Sequence, residues 1–421
     1  MTDSTGRGGP KHCPLALLVF LLVLAAACKT PGGSGISASR RDSLGVEIVE
    51  NAGAAWPAGL GWSLSAAPLV TIGVEEGDSN YVLDRVVAAV RLSDGRIVVA
   101  NGLSNQLRYF DTAGRFLRTV GRKGQGPGEF NGLSWVGRLG GDSLLVWDRA
   151  NARVSVVGPD GTFVRSFPIR RPGPASLTMS PTVLELLPGG ELLASVRSAT
   201  PPSPGLSRDS TLYLRYGLDG LPADTIGRFP DREYYTEMSR RADGVVAGIS
   251  RSPVPFTVAP SVAAAPEGLY FGVGATYEIG LYSGNGALKR IIRVARPSVP
   301  LTADRIAEYR AQRLAAAPNE EVRRFQERAL EQMPFPQRAP AYSGFVVDEE
   351  RNLWVLDYAS RGDSVRQLTV FNPKGALLGA VRTPERFRPT QIGADFVLGV
   401  WWGPDDVQDV RMYGLIKPEG R

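Results

Sequence analysis

Short alternating apolar runs recur along most of the chain, and a glycine turn follows at the same place in each repeat. Residues 97–117 align without a gap on residues 144–164, so that Gly114 falls on Gly161. Further copies occupy 269–289 around Gly286, 353–378 around Gly375 and, in degenerate form, 191–226 around Gly220. Hairpin loops need a residue that tolerates positive φ, so glycine at these turns indicates paired antiparallel strands.

Each repeat contains four predicted strands. Two of them flank a tight polar turn such as Asp94-Gly95, and two more flank the glycine turn. Four strands per repeat are typical of a propeller blade, whereas a solenoid coil has fewer. The pattern therefore predicts an all-β chain in which residues 46–421 form a single propeller domain.

The number of blades follows from counting the repeats. Five are visible, and residues 390–416 indicate a sixth that lacks its full set of strands. Strands at 46–49 and 69–72 are predicted to supply the missing outer part, because a ring closed by both termini has no exposed sheet edge. We predict a six-bladed β-propeller of four-stranded antiparallel blades closed by N- and C-terminal strands, with seven blades as the alternative.

Three segments carry a resemblance to a known superfamily. They are DGRIVVAN at 94–101, FDTAGRFLRTVGRKGQGPGEF at 110–130 and VVGPDGTFVRSF at 156–167. Together they resemble bacterial six-bladed propellers related to NHL and YWTD repeats. The resemblance implies the fold from about Val46 to the C-terminus. It leaves the function open, because members include protein-binding platforms, sugar-lactone hydrolases and lyases.

The long segments between strands are predicted to share one face of the disc. They connect the second strand of a blade to the third, or the fourth to the next blade, and occupy 198–209, 230–259, 296–340 and 358–364. Loops carry function more often than tight turns do. We therefore expect any binding site on this face, around the mouth of the central channel.

The largest insertion, at about 298–336 between the fourth and fifth repeats, has a helical pattern. Thr302 is a suitable N-cap, and Asn319 restarts the helix after a proline. The spacing then predicts an apolar stripe formed by Val322, Phe325, Ala329 and Met333. Two interpretations stay open: the stripe packs on the disc, or the hairpin is a lid or a partner-docking element.

The N-terminus has the pattern of an export signal. Residues 15–27 are apolar and follow a basic start, and the run is too short to span a membrane. The sequence LLVLAAAC resembles a bacterial lipoprotein signal, which implies lipidation of Cys28. Residues 1–28 would then be the signal and 29–45 a flexible tether. The protein is expected to be exported and lipid-anchored, in the outer membrane or periplasm. The alternatives are a plain secretory signal and a short anchor.

The rare residue types restrict the chemistry of the mature chain. The sequence has one histidine, His12, and two cysteines, Cys13 and Cys28. Removal of the signal leaves no histidine and no free thiol, which excludes Ser–His and Cys–His nucleophiles and histidine-ligated zinc or haem. The net charge is +6 for the full chain and +5 without the signal, and this mild excess favours anionic surfaces or ligands over nucleic acid. The alternative is a solvated basic surface without a partner.

Candidate contacts come from one glycine-rich loop and from the ends of strands. Residues 121–130 do not form a phosphate-binding P-loop, because a strand follows them, but Arg122 and Lys123 are placed to meet an anion. Phe130 is expected to be buried between blades. Trp135, Trp147, Trp354 and Trp401 are interpreted mainly as packing, and Trp402 as a side chain on the opposite face of its strand.

Asn101, Asp148 and Asp357 occupy one repeat position at the end of a strand. Their expected role is structural, namely to satisfy backbone N–H groups. The functional alternative is a Ca²⁺ site, since Asp and Asn oxygens suit hard cations. Arg149 follows Asp148 and is a further candidate contact.

The sequence thus favours a binding or scaffold protein of the cell envelope over an enzyme. Its expected ligand is a protein, a peptide or a glycan, with no cofactor required. The candidate ligand contacts are Arg122, Lys123, Asp148, Arg149, Asp357 and Trp402. The alternative is a metal-dependent hydrolase of the sugar-lactonase type.

Overall fold

The computed structural model describes residues 38–174, 178–198, 203–240, 243–359, 366–403 and 406–418. The predicted signal and Cys28 lie outside this part of the chain. No helix in the described part is long and apolar enough to cross a membrane. The strands are, in order, β1 (Ala38–Ser43), β2 (Val46–Asn51), β3 (Ser63–Leu64), β4 (Val70–Ile72), β5 (Val86–Arg91), β6 (Ile97–Asn101), β7 (Gln106–Phe110), β8 (Phe116–Val120), β9 (Leu133–Arg138), β10 (Leu144–Asp148), β11 (Arg153–Val157), β12 (Phe163–Pro168), β13 (Thr182–Leu186), β14 (Leu192–Arg197), β15 (Gly205–Tyr216), β16 (Pro222–Arg240), β17 (Val246–Pro253), β18 (Ser261–Ala265), β19 (Gly268–Gly272), β20 (Glu278–Ser283), β21 (Leu288–Val294), β22 (Tyr342–Val347), β23 (Leu353–Asp357), β24 (Arg366–Phe371), β25 (Leu377–Thr383), β26 (Phe387–Ile392), β27 (Phe396–Trp402) and β28 (Gln408–Ile416). The helices are α1 (Ala303–Ala315) and α2 (Glu320–Gln332).

The strands form six sheets arranged in a ring. In chain order the sheets begin with the inner strands β5, β9, β13, β18, β22 and β26. Each inner strand contacts the next one, and β26 contacts β5, which closes the ring. The fold is therefore the predicted six-bladed β-propeller.

The sixth blade contains strands from both ends of the chain. Both β3 and β4 pair antiparallel with β28, and Ile72 lies opposite Val410. The prediction that residues 69–72 complete this blade is confirmed. This pairing covers the outer edge that β28 would otherwise expose.

Strand β2 joins a different blade from the one predicted. It pairs in parallel with β21 of the fourth blade, and β1 adds a further strand outside it. Arg290 donates to Glu47 over 2.6 Å and Arg293 donates to Glu50 over 3.2 Å, so opposite charges hold β2 on this edge. The prediction that residues 46–49 belong to the sixth blade is therefore wrong.

The boundary of the predicted tether also changes. Residues 29–45 were expected to be flexible, but Ala38–Ser43 form β1, which pairs along its whole length with β2. The tether prediction fails for these residues because β2 offers them an unpaired edge.

The repeated glycines are explained by the contacts between blades. Gly220 has a φ of +79° and Gly286 a φ of +84°, both in the left-handed region. A Cβ at Gly220 would overlap the carbonyl oxygen of Pro168, and one at Gly286 would overlap that of Ile226. Each turn lies against the outer strand of the preceding blade, so glycine is needed for both φ and space.

The core lies between neighbouring blades. Phe130 is fully buried together with Val90 and Val136, between the first and second blades. Trp147 and Trp354 are also fully buried, in the clusters between later blades. The predicted packing roles of these residues are confirmed.

The third blade extends beyond the disc. Arg197 at the end of β14 lies opposite Thr211, whereas β15 continues to Gly205, which lies opposite Thr236 of β16. Residues 205–210, 230–240 and 246–253 thus form a sheet that we call the third-blade extension. Segments 198–209 and 230–259 were predicted as long connections, but most of their described residues are strand. These residues are strand because β15 and β16 continue to pair beyond the end of β14. No tight turn marks where this continued pairing begins.

The insertion forms two helices with the predicted caps. The Thr302 side chain accepts a hydrogen bond from Arg305 N, and Asn319 accepts one from Val322 N. Of the predicted stripe only Met333 is buried, whereas Phe325 is 41% exposed. The hairpin packs on the third-blade side, where Tyr309 lies 5.2 Å from Phe256 between ring centroids. The predicted apolar stripe is therefore not continuously buried.

Candidate functional site

Several long features of the chain lie on one face of the disc. The connections from the second to the third strand of a blade, and from one blade to the next, end on the same side because the strands alternate in direction. The third-blade extension and the helical hairpin both arise from such connections. We call this side the long-connection face.

Two of the predicted strand-end residues have structural roles. Asp148 is fully buried and accepts hydrogen bonds from Asn131 N at 2.8 Å and from Asn151 Nδ2 at 2.6 Å. Asn101 accepts one from Asp84 N at 3.1 Å. The structural interpretation is confirmed. The proposal that Asp148 contacts a ligand is wrong, because its carboxylate has no exposed surface.

Asp357 joins the fourth and fifth blades. Its carboxylate accepts hydrogen bonds from Tyr277 Oη at 2.7 Å, Thr369 Oγ1 at 2.8 Å and Arg296 Nη1 at 2.9 Å. Burial and the neighbouring carboxylate raise the pKa of Tyr277 well above its usual value, so the phenol remains a donor. These internal bonds engage both oxygens of Asp357, which leaves it poorly placed to contact a ligand.

The predicted basic contacts lie on the first and second blades. Arg122 is paired with Glu129 at 2.8 Å, so an internal carboxylate already compensates its charge. Bonds from Gly126 N and from Arg122 lower the pKa of Glu129, which keeps the pair ionised. Lys123 and Arg149 are exposed. Trp402 belongs to the sixth blade, and none of these three residues lines the cavity beside it.

Trp402 lines a cavity between the fifth and sixth blades. Alternation along β27 places Trp401 against the fifth-blade cluster and Trp402 on the opposite face, as predicted. The cavity has a volume of about 450 Å³, and we call it the arginine cavity. It is lined by Ser343, Leu356, Arg366, Arg386, Arg388, Trp402 and Asp406.

The arginine cavity has more positive than negative side chains. Arg386 donates to the Gly403 carbonyl at 2.7 Å, and Arg388 lies 5.4 Å from the centre of the Trp402 ring. Within the described ranges, no carboxylate pairs with Arg366 or Arg388. Desolvation lowers the pKa of Arg388, but an arginine remains charged at neutral pH. Arg386 pairs with Glu385 at 3.8 Å, so Arg366, Arg388 and the indole are the groups that can bind an anion with a flat or apolar part.

A second cavity lies between the third and fourth blades. It has a volume of about 280 Å³, and we call it the carboxyl cavity. It is lined by Leu184, Glu185, Ser195, Arg197, Thr211, Tyr213, Asp231, Pro260 and Val262. Asp231 is 2% exposed. It forms an ion pair with Arg197, with 2.8 Å between Nε and Oδ2, and accepts a hydrogen bond from Arg232 N at 2.8 Å.

Glu185 brings a carboxyl group to the innermost strand of the third blade. Burial raises its pKa to about 7, and no neighbouring cation opposes this effect. Sequence reasoning missed Glu185, although an acidic residue inside the apolar run TVLELL was a usable signal. It also missed the arginines around Trp402, because no local pattern brings β24 and β26 together.

The described residues contain no group of three His, Cys, Asp or Glu side chains placed to hold a metal ion. The Ca²⁺ site considered from the sequence therefore has no candidate ligand set in that part of the chain.

The first blade and the start of the second match the model of a known family. Residues 78–135 match DUF5128, described as 6-bladed beta-propeller. No curated protein matches the chain.

Solved structures show likeness in fold alone. A member of the DUF4221 family from Bacteroides vulgatus is 11% identical, with 85% of this chain and 98% of that chain covered and a TM-score of 0.48. A gluconolactonase from Xanthomonas campestris is 14% identical, with 80% and 88% covered and a TM-score of 0.42. Virginiamycin B lyase from Staphylococcus aureus is 9% identical, with 82% and 98% covered and a TM-score of 0.39.

Proposed function

We propose that this protein is an exported, membrane-anchored binding propeller that recognises a carboxylate-bearing glycan or peptide of the cell envelope. The observation that carries the proposal is the arginine cavity, where Arg366 and Arg388 stand beside Trp402 without an acidic partner among the described residues. Anchoring through Cys28 rests on the sequence alone.

The chemistry of the cavity supports this ligand class. A guanidinium group binds a carboxylate through two parallel hydrogen bonds, and such charged bonds contribute about 1.5–3 kcal/mol each. An indole ring beside them offers an apolar surface for a sugar ring or an aliphatic chain. The cavity lies on the long-connection face, where a ligand can approach.

The experiment compares charged and uncharged probes by calorimetry. Trigalacturonate and tetraglutamate are expected to bind, and methyl-esterified trigalacturonate is expected to bind much more weakly. Arg366→Gln and Arg388→Gln should each raise the Kd at least about tenfold, because about 1.4 kcal/mol corresponds to a factor of ten. Added salt should weaken binding of the charged probes.

The matched control is Arg382→Gln, which removes an exposed arginine from the outer part of the fifth blade. It should leave the Kd unchanged. Equal binding of the esterified probe, or no effect of either cavity variant, would rule the proposal out. Stoichiometric metal on the purified protein, together with lactone hydrolysis, would favour the hydrolase alternative.

A further inference from the structure

The carboxyl cavity contains polar groups that the fold itself does not satisfy. Thr211 is 3% exposed, and its hydroxyl has no hydrogen-bond partner. In the described part of the chain, no hydrogen bond or cation meets the Glu185 carboxyl. A buried polar group without a partner costs stability, so such groups in one cavity indicate a missing ligand or solvent.

The electrostatics of this cavity differ from those of the arginine cavity. Arg197 and Asp231 form an internally neutral pair. The pKa of Glu185 is raised by burial to about 7, which leaves its carboxyl partly protonated at neutral pH. The cavity therefore carries little net charge and gives no strong preference for an anion or a cation.

The remaining lining is half hydroxyl and half apolar. Ser195, Thr211 and Tyr213 supply three hydroxyl groups, which both donate and accept hydrogen bonds. Pro260 and Val262 form an apolar wall. The volume of about 280 Å³ lies just below the range of about 300–1,000 Å³ that is usual for drug-sized ligands.

We propose that the carboxyl cavity binds a neutral polyol of the size of one sugar ring. The hydroxyls of the ligand pair with Thr211, Tyr213 and the Glu185 carboxyl, and its C–H face lies on the wall formed by Pro260 and Val262. This site is separate from the arginine cavity and does not depend on the function proposed for that cavity.

The test compares four neutral sugars with two charged ones of the same ring size, glucosamine and glucuronate. Saturation-transfer NMR on the purified protein is expected to detect binding of at least one of glucose, galactose, mannose and N-acetylglucosamine. Thr211→Val removes the hydroxyl at nearly constant shape and should raise the Kd of that sugar about three- to tenfold. Glu185→Gln should have a smaller effect, since an amide also donates and accepts.

The matched control is Thr383→Val in the fifth blade, where another buried hydroxyl has no partner. It should leave sugar binding unchanged. A melting temperature for Thr211→Val at or above that of the parent would show that the variant folds. Three outcomes overturn the proposal: none of the four neutral sugars binds, Thr211→Val binds like the parent, or only glucosamine or glucuronate binds.

Discussion

At the scale of single residues, the unusual positions are polar side chains placed where an apolar one would pack. Glu185 lies on an inner strand between Leu184 and Leu186, in a blade whose other inner positions are mostly apolar. Thr211 follows the same pattern on β15. A buried hydroxyl without a partner, such as that of Thr211, costs stability in the absence of a ligand.

The raised pKa of Glu185 predicts a pH dependence of stability. An unfolded glutamate titrates near 4.3, so a folded pKa of about 7 means that the native state holds its proton more tightly. This contribution to stability is fully present below about pH 4 and is lost as the pH rises towards 7. Glu185→Gln should therefore match the parent at pH 4 and exceed it at pH 8 by about 1–3 kcal/mol.

Thermal melts of both proteins across this pH range measure the difference. We expect a stability difference at pH 8 near the lower end of this range, about 1 kcal/mol, because Glu185 keeps part of its surface exposed to solvent. Glu267→Gln, at an exposed position, is the control and should follow the parent throughout. A constant offset between Glu185→Gln and the parent at every pH would contradict the assignment.

At the scale of elements, the helical hairpin is an addition to the ring. None of its described residues belongs to an interblade core cluster. Its aromatic contacts are with Phe256, through Tyr309 and Phe335. The two ends of the insertion are held together by a short ladder in which Leu301 N donates to Gln337 O at 2.9 Å.

Replacing residues 298–336 with a short Gly/Ser linker should therefore leave a folded propeller. Loop-closure entropy changes by only about 0.6 kcal/mol per doubling of length, so the ring does not depend on the insertion. We expect all-β circular dichroism and a cooperative melt, with Phe256→Ser added to avoid an exposed aromatic ring. Binding of trigalacturonate should be unchanged, because no hairpin residue lines the arginine cavity.

An insoluble or molten product would show that the hairpin is part of the core. Loss of trigalacturonate binding by a well-folded product would instead support the lid interpretation.

At the scale of the whole molecule, two N-terminal segments complete two different blades. Residues 63–72 close the sixth blade, and β1 and β2 cover the edge of the fourth. The described chain starts at Ala38, ten residues after Cys28. An anchor at Cys28 would thus be joined to the propeller by a short segment.

The lipoprotein-like sequence LLVLAAAC predicts that the Cys28 thiol determines where the protein is found. Cys28→Ser should abolish acylation and move the protein from the membrane fraction to the soluble exported fraction. The propeller should keep its melting temperature, because the first described strand begins at Ala38, ten residues after Cys28. Cys13→Ser is the matched control and should not change the distribution. Unaltered membrane recovery of Cys28→Ser would refute lipid anchoring.

The sequence by itself determined the features that depend on neighbouring residues. The repeat indicated four-stranded blades, and the glycine turns, the helix caps at Thr302 and Asn319 and the buried Phe130 followed from local patterns. These features are local because turns, caps and alternation act over a few residues.

Only the tertiary structure decided which strands and side chains meet across blades. The pairing of β2 with β21 joins residues more than two hundred positions apart. Arg366, Arg388 and Trp402 come from three strands of the fifth and sixth blades. Glu185 and Asp231 come from the first and the fourth strand of the third blade. No short-range pattern encodes such distances, because a cavity between blades depends on how whole sheets pack around the ring.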